Sequence, residues 1–203
     1  MDGTAGGSAD GGGGGGQRGA GRWDVVLTER LRLTRPRPED AGDVFAIYSD
    51  PATWEHLPSG RHTELAQTLA LLAHVEEGWR AVGLGSWVAR EADGTFVGTG
   101  GCDLRLGLAW NLGYRLAPAA WGRGLAQEVV RAATTAARQV LPDVPVTAYL
   151  LEHNARSKAA AERAGMHLQW RGPDAGNPDP AAVRLVYADR PLSRVVLREV
   201  TAS

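Results

Sequence analysis

A glycine-containing loop at residues 121–128, with the sequence WGRGLAQE, limits the fold of this 203-residue chain more than any other stretch. Two glycines flank one arginine, residues 110–116 before them have the pattern of a strand, and apolar residues after them recur at helical spacing. A loop between a strand and a helix brings backbone N–H groups to the helix N-terminus, where the helix dipole favours an anion. The sequence therefore predicts a phosphate-binding loop.

Two common phosphate-binding loops do not match this sequence. A dinucleotide loop requires G-x-G-x-x-G, but Gln127 occupies the position of the third glycine. A Walker-type loop requires G-K-S or G-K-T, which is absent here. The remaining expectation is a short pyrophosphate loop between a strand of an antiparallel meander and a helix.

The composition predicts a globular protein rather than a nucleic-acid or membrane protein. The formal net charge is −1 without a basic block, and no apolar run has the roughly 18–20 residues of a spanning helix. The single cysteine, Cys102, excludes an intrachain disulfide and is expected to be a buried small hydrophobe. We therefore expect a cytoplasmic monomer or homodimer with no nucleic-acid partner and no membrane partner.

The chain is expected to form one domain after a glycine-rich leader. Residues 1–22 hold 11 of the 27 glycines and almost no large apolar side chain. Such a segment buries too little surface to offset the entropy of ordering it. We predict a disordered leader over residues 1–22 and a single domain over residues 23–203.

Hydrophobic periodicity and breaking residues divide this domain into strands and helices. Strands are predicted at residues 25–35, 86–91, 95–104, 109–116, 146–151, 166–171 and 183–189. Helices are predicted at residues 38–48, at 63–81 with a buried stripe of Leu65, Leu69, Leu72, Val75 and Trp79, after the glycine loop, and from the N-cap Asn154 to Gly165. Residues 195–197 form either another short strand or a trailing end. The order predicts a mixed α/β domain with a mostly antiparallel sheet of about seven strands and about four helices.

Four stretches, in this order, resemble the GNAT superfamily of N-acetyltransferases, in the ribosomal-protein-alanine N-acetyltransferase-like branch. They are LTERLRL at 27–33 followed by PED at 38–40, LGYRL at 112–116, WGRGLA at 121–126, and NARS at 154–157 followed by AGM at 164–166. The resemblance covers about residues 25–190. It implies the GNAT fold, acetyl-CoA as acyl-donor cosubstrate, and transfer of an acetyl group to an amine.

The resemblance also implies which residues bind acetyl-CoA. Backbone N–H groups from Gly122 to Ala126 would bind the pyrophosphate, with Arg123 adding charge and Trp121 packing at the pocket edge. The backbone of Leu116 would pair with the pantetheine arm, and a free N–H near it would polarise the thioester carbonyl. The expected cofactor-binding residues are Leu116, Trp121, Gly122, Arg123, Gly124, Leu125, Ala126, Asn154, Ser157 and Lys158, with Lys158 either near the 3′-phosphate or solvated.

The resemblance assigns the proton transfers less completely. Ser157 would donate a hydrogen bond or a proton to the leaving sulfur, and Asn154, on the same helical face, would contact pantetheine. Many relatives carry a glutamate where this chain has Asn111, which cannot act as a base. Three other acids are candidates by location only: Asp103, Asp174 and Asp179. An α-amine, with a pKa of about 7.7–8.0, is alternatively neutral often enough for ordered water to suffice.

The acceptor is left open between several classes. The leading expectation is a primary amine, first of all a protein or peptide N-terminal α-amine. The alternatives are an antibiotic or metabolite amine, or a non-catalytic acyl-CoA-binding module, which the missing acid at Asn111 favours. Trp54, Trp110, Asn111 and Tyr187 are the candidate acceptor-binding residues. The five histidines show no metal-ligand spacing, so no metal is expected.

Overall fold

The computed structural model of the protein describes residues 21–175 and 177–202. The strands of that part are β1 (Val25–Leu27), β2 (Leu31–Thr34), β3 (Ser86–Glu91), β4 (Phe96–Arg105), β5 (Ala109–Leu116), β6 (Val146–Leu151), β7 (His167–Pro173) and β8 (Val183–Ala188). Its α-helices are α1 (Ala41–Tyr48), α2 (Leu65–Val82), α3 (Leu125–Val140), α4 (Ala155–Arg163) and α5 (Arg194–Thr201). Residues 1–20 of the predicted leader lie outside the described residues.

The strands form one mixed sheet in the order β1-β2-β3-β4-β5-β6-β8-β7. All neighbours pair antiparallel except β5 and β6, which are parallel. The predicted mixed α/β fold with a mostly antiparallel sheet is confirmed. The described sheet has eight strands rather than seven because residues 25–35 are not one strand: the chain turns at Thr28, whose N–H donates to the Leu31 carbonyl at 2.8 Å, and β1 pairs with β2.

Two helical expectations differ from the structure. The end of the chain is neither strand nor trailing, because Ser193 caps a fifth helix by accepting from the Val196 N–H. The predicted stripe of α2 is wrong in its first turns: Leu65 and Leu69 are 45% and 48% exposed, whereas Thr68 is fully buried. The Thr68 hydroxyl is hydrogen bonded to His62 Nδ1 at 2.8 Å, so this polar side chain is satisfied where an apolar one was expected.

Helices cover both faces of the sheet. On β4, the Thr99 hydroxyl is hydrogen bonded to the Tyr48 hydroxyl of α1 at 3.0 Å. A Cβ on the next residue, Gly100, would lie 2.7 Å from Val129 of α3. Successive residues of a strand point to opposite faces, so α1 and α3 lie on opposite sides of the sheet. Among the described helices, none is long and apolar enough to cross a bilayer.

The sheet opens between β5 and β6. These strands pair only at Trp110 with Val146 and at Asn111 with Thr147, in the part of the chain that the structure describes. Beyond those two pairs, the remainder of β5 and the remainder of β6 diverge. The result is a wedge-shaped gap in the middle of the sheet, between the helices of its two faces.

Candidate active site

A cavity of about 640 Å³ occupies this gap and continues onto both faces of the sheet. Its walls come from β5 and β6 and from helices on either side. The lining residues used below are Tyr48, Trp54, His56, Ser86, Asp103, Asn111, Gly113, Tyr114, Arg115, Asn154, Ser157 and Asp174. The structure therefore joins, in one space, residues that the sequence suggested for donor chemistry and for acceptor binding.

The glycine loop has the backbone geometry of an anion cradle. Gly122 and Gly124 have φ of +74° and +78°, the left-handed region that glycine adopts without steric cost, and Gly124 is the N-cap of α3. No described residue accepts a hydrogen bond from the backbone N–H groups of residues 122–126. A Cβ at Gly122 would meet no described atom within 4 Å, so the space beside these donors is open. These free N–H groups at a helix N-terminus fit a pyrophosphate.

Arg30 fastens this loop to the rest of the domain. Its Nη1 donates to the Arg123 carbonyl at 2.7 Å, and its Nε donates to Glu128 Oε1 at 2.6 Å. Glu128 is only 2% exposed and also accepts from the Thr28 hydroxyl at 2.6 Å. Burial opposes its charged form, but the hydrogen bonds from Thr28 and Arg30 prevail and lower its pKa. Sequence reasoning matched Thr28 and Arg30 to a family opening and missed this contact with α3.

Side chains around the loop are engaged with protein partners. Arg123 forms two hydrogen bonds with Glu91, at 2.8 and 2.7 Å, so its guanidinium is held against β3. The Trp121 indole donates to the Leu116 carbonyl at 2.9 Å, and the Arg156 guanidinium lies 4.6 Å from the centre of the Trp121 ring. Leu125 is fully buried, Ala126 is half-buried, and Lys158 is exposed. An anion at this loop would therefore be bound mainly by the backbone N–H groups and not by the side chains.

The N-terminus of α4 meets β5 at the cavity. Asn154 Oδ1 accepts from the Ser157 N–H at 3.1 Å, so the predicted N-cap is confirmed. Ser157 is half-buried, and its hydroxyl lies beside the Tyr114 hydroxyl and lowers the Tyr114 pKa. Burial raises the pKa of the Tyr114 hydroxyl, which is therefore a proton donor and not an anion at neutral pH. Tyr114 was seen in the sequence only as part of a strand motif, and its hydroxyl was missed.

One carboxylate faces the cavity beside Asn111. Asp103 is the cross-strand partner of Asn111, so both side chains lie on the same face of the sheet. Its two oxygens accept from the Ser86 N–H at 3.2 Å and from the Ser86 hydroxyl at 3.0 Å. Burial raises the pKa of Asp103 above its usual range, and the Ser86 hydrogen bonds oppose that shift. The structure thus places an acid with a raised pKa next to the asparagine that replaces the expected one.

The other two candidate acids are occupied elsewhere. Asp174 also lines the cavity but is paired with Arg184 and accepts from Asn177 Nδ2 at 2.7 Å. Asp179 is exposed and accepts from the Ala181 N–H at 2.9 Å within its own loop. Neither carboxylate is as free to take a proton as Asp103.

The aromatic candidates separate into one that lines the cavity and two that do not. Trp54 lines it and donates from its indole to the Tyr48 carbonyl at 2.6 Å. Trp110 is fully buried in the core, and Tyr187 is 3% exposed with its hydroxyl donating to Glu162 Oε1 at 3.0 Å. The expected acceptor contacts of Trp110 and Tyr187 therefore lack support, because both side chains pack into the protein.

The single cysteine lies outside the cavity chemistry. Cys102 is fully buried, as expected, and burial raises its thiol pKa well above the usual value.

Metal ligands are not grouped in the described part of the chain. Over residues 21–175 and 177–202, no three His, Cys, Asp or Glu side chains lie together as they would around an ion. The polar groups that line the cavity include hydroxyls, the Asp103 carboxyl with its raised pKa, and the Arg115 guanidinium.

Comparison with known proteins agrees with this geometry. A family model described as an acetyltransferase (GNAT) domain matches residues 30–167. A Bordetella pertussis protein assigned to the GNAT-family acetyltransferases is 22% identical, with 82% of this chain and 99% of that chain covered and a TM-score of 0.69. The acetyltransferase from Agrobacterium tumefaciens is 26% identical, with coverages of 80% and 93% and a TM-score of 0.64. RimL, a ribosomal L7/L12 alpha-N-protein acetyltransferase in complex with coenzyme A, is 18% identical, with coverages of 81% and 96% and a TM-score of 0.67. The chain belongs to the GNAT family of acetyl-CoA-dependent acetyltransferases.

Proposed function

We propose that this acetyltransferase transfers the acetyl group of acetyl-CoA to a primary amine, first of all the α-amine of a protein or peptide N-terminus. The observation that carries the proposal is the cavity through the sheet. It joins the Ser157 and Tyr114 face to the Asp103 and Arg115 face through the gap between β5 and β6. Donor and acceptor can therefore enter from opposite faces and meet between the strands.

The donor half of the site consists of the glycine loop and the start of α4. The free N–H groups of residues 122–126 would hold the pyrophosphate, and the diverging backbone of β5 up to Leu116 would pair with the pantetheine amides. Bound acetyl-CoA supplies an activated acyl group on a thiol leaving group. Asn154 lies at the cavity wall and would contact the pantetheine arm while it caps α4.

The chain offers one proton acceptor and one proton donor on opposite faces. Asp103, with its raised pKa, would take the proton of the incoming ammonium group directly or through a water. Ser157, beside the Tyr114 hydroxyl, would donate toward the leaving sulfur. An α-amine suits a weak carboxylate base, because its pKa of about 7.7–8.0 leaves part of it neutral near pH 7.

The choice of an α-amine rests on the demands of this chemistry and on the RimL likeness. RimL is described as an alpha-N-protein acetyltransferase and has the same fold. A lysine side chain, with a pKa of about 10.4, would need a stronger base than one carboxylate beside an asparagine. Antibiotic or metabolite amines with a low amine pKa are the second candidate class.

The test is acetyl-CoA titration by calorimetry followed by a CoA-release assay with a panel of amines. The panel contains short peptides with free N-termini, the same peptides with blocked N-termini and a free lysine, and small amines. Release with free N-termini only is the expected result. Release only with small amines would select the second class, and tight acetyl-CoA binding without release on any amine would identify a non-catalytic module.

A further inference from the structure

Arg115 places a cation on the acceptor side of the cavity. Its cross-strand partner is Thr99, whose hydroxyl is hydrogen bonded to Tyr48 of α1, so Arg115 points to the face covered by α1. There its Nη1 donates to the Thr53 carbonyl, and its guanidinium lies 3.2 Å from the centre of the Trp54 ring and 5.4 Å from that of Tyr48. The carbonyl and the two aromatic rings hold the guanidinium at the cavity wall.

This cation has no carboxylate partner among the described residues. Burial lowers the pKa of Arg115 to about 10, with only the Tyr48 hydroxyl acting against the shift, so the side chain stays charged at neutral pH. The two carboxylates of the cavity are engaged elsewhere, Asp103 with Ser86 and Asp174 with Arg184. A desolvated charge without a counter-ion is costly, and a bound anion removes that cost.

The histidines beside Arg115 do not compete for an anion. Burial and the Arg115 charge lower the pKa of both His56 and His62, so both rings are neutral at pH 7. The Trp54 ring stacks on both of them, with centroid distances of 6.4 Å. Arg115 is therefore the charged group of this aromatic corner of the cavity.

The floor between Arg115 and Asp103 is open. Asn111, Gly113 and Arg115 alternate along one face of β5, and Asp103 lies opposite Asn111. A Cβ on Gly113 would meet no described atom within 4 Å. Arg115 lies four strand positions after Asn111, which is about 13 Å between Cα atoms. An acceptor can therefore place its amine near Asp103 and extend over Gly113 toward the guanidinium.

We propose that the acceptor amine carries a carboxylate and that Arg115 binds this carboxylate and so determines acceptor specificity. The inference rests on the proposed transfer to an amine. Two sources have this chemistry: an acidic side chain next to a peptide N-terminus, and the α-carboxylate of a free amino acid. A guanidinium suits both because its donors match a carboxylate in a bidentate manner.

The test compares acceptors that differ by one charge. Ser-Glu-Ala amide is compared with Ser-Gln-Ala amide, and free serine with serinamide, in wild type, Arg115→Met, Arg115→Lys and Arg61→Met. Arg61 is an exposed arginine in the segment after Trp54, so its variant controls for loss of surface charge. We expect the wild type to favour one of the charged acceptors by about 10-fold or more in kcat/KM, mainly through KM.

Arg115→Met should remove this preference, Arg115→Lys should keep part of it, and Arg61→Met should leave it unchanged. The pair that shows the effect identifies the source of the carboxylate. Equal kcat/KM for charged and neutral acceptors in the wild type would overturn the proposal. An equal loss of kcat/KM on charged and neutral acceptors in Arg115→Met would also overturn it, because a purely structural contact of Arg115 with Thr53 would give that result.

Failure of the proposed function gives a different pattern. If no amine releases CoA, binding of the same four acceptors to the CoA-loaded protein is measured by calorimetry. If the wild type binds a charged acceptor more tightly and Arg115→Met does not, the result supports the carboxylate-binding site without the transfer reaction. Equal binding of charged and neutral acceptors to the wild type overturns the site. Acetyl-CoA affinity and thermal unfolding verify that each variant is folded. If Arg115→Met does not fold, the comparison of charged with neutral acceptors in the wild type still tests the proposal.

Discussion

Arg30 and the buried Glu128 form an ion pair that links the turn before β2 to the first helical turn after the glycine loop. The Nε–Oε1 distance is 2.6 Å, and the Arg30 backbone N–H donates to the same carboxylate at 3.0 Å. Because Arg30 also donates to the Arg123 carbonyl, it holds the loop and the helix in one arrangement. The cradle is therefore positioned by a residue more than 90 positions earlier in the chain.

Arg30→Met should weaken acetyl-CoA binding by about 10-fold without touching the ligand, because the loop loses its anchor. It should also lower the free energy of unfolding by about 1–2 kcal/mol, since Glu128 loses the hydrogen bond to its partly exposed cation but keeps those from Thr28 and the residue-30 N–H. Calorimetry and urea unfolding measure the two effects. Arg138→Met, which removes an ion pair at the other end of α3, is the control and should leave acetyl-CoA affinity unchanged. Unchanged affinity in Arg30→Met would contradict the anchoring role.

Gly122→Ala should weaken acetyl-CoA binding by about 10-fold because its Cβ would project into the open space beside the free N–H groups. Gly107 is a matched control, with φ of +71° and no described atom within 4 Å of its Cβ position. Gly122→Ala and Gly107→Ala should each lower the free energy of unfolding by about 1 kcal/mol, because alanine is strained at a left-handed φ. If both variants bind acetyl-CoA like the wild type, the pyrophosphate does not lie at this loop.

Asp103→Asn should lower kcat/KM by about 100-fold if Asp103 is the general base. In the wild type, kcat/KM should fall as the pH drops through the raised pKa of Asp103, because the protonated carboxyl cannot accept a proton. Ser86→Ala removes a hydrogen bond that lowers this pKa and should move the acidic limb to higher pH. An acidic limb that stays in place in both variants would assign the base to another group or to water.

Ser157→Ala should lower kcat by about 100-fold while acetyl-CoA affinity changes by less than about threefold, because the hydroxyl acts mainly on the developing thiolate. Tyr114→Phe tests whether its hydroxyl orients Ser157 and should give a smaller loss of kcat in the same direction. Stopped-flow assays of CoA release give kcat, and calorimetry gives affinity. Equal kcat in Ser157→Ala and wild type would remove the acid role.

The sequence predicted best what local rules determine. The bounds of β3, β5 and β6 were predicted exactly because glycine and proline residues punctuate them. The cap at Asn154 follows from side-chain chemistry within one turn, and the left-handed Gly165 from backbone sterics. These features position the donor half of the site, which is why the loop could be located from sequence.

The acceptor half depends on contacts between distant segments, and there the sequence was less informative. In the sequence, nothing distinguishes Arg115 from the other residues of its strand. Its role depends on Thr53 and Trp54, which contact it only in the folded protein. Trp110 and Tyr187 were expected at the cleft, but both faces of their strands are buried, so alternation does not tell which face meets the cavity. Asp103 was named among three acids, and the pairing of β4 with β5 is what places it opposite Asn111.

The separation of β5 from β6 after two residue pairs places the proposed donor half and the proposed acceptor half of the site on opposite faces of the sheet. The glycine loop, at the start of α3, and α4 lie on one side of the opening, and Tyr48, Trp54 and Arg115 lie on the other. Under the proposed function, replacements among the second group would change the acceptor while the pyrophosphate-binding loop stays unchanged. The acceptor would thus be determined by side chains on one face of the sheet alone.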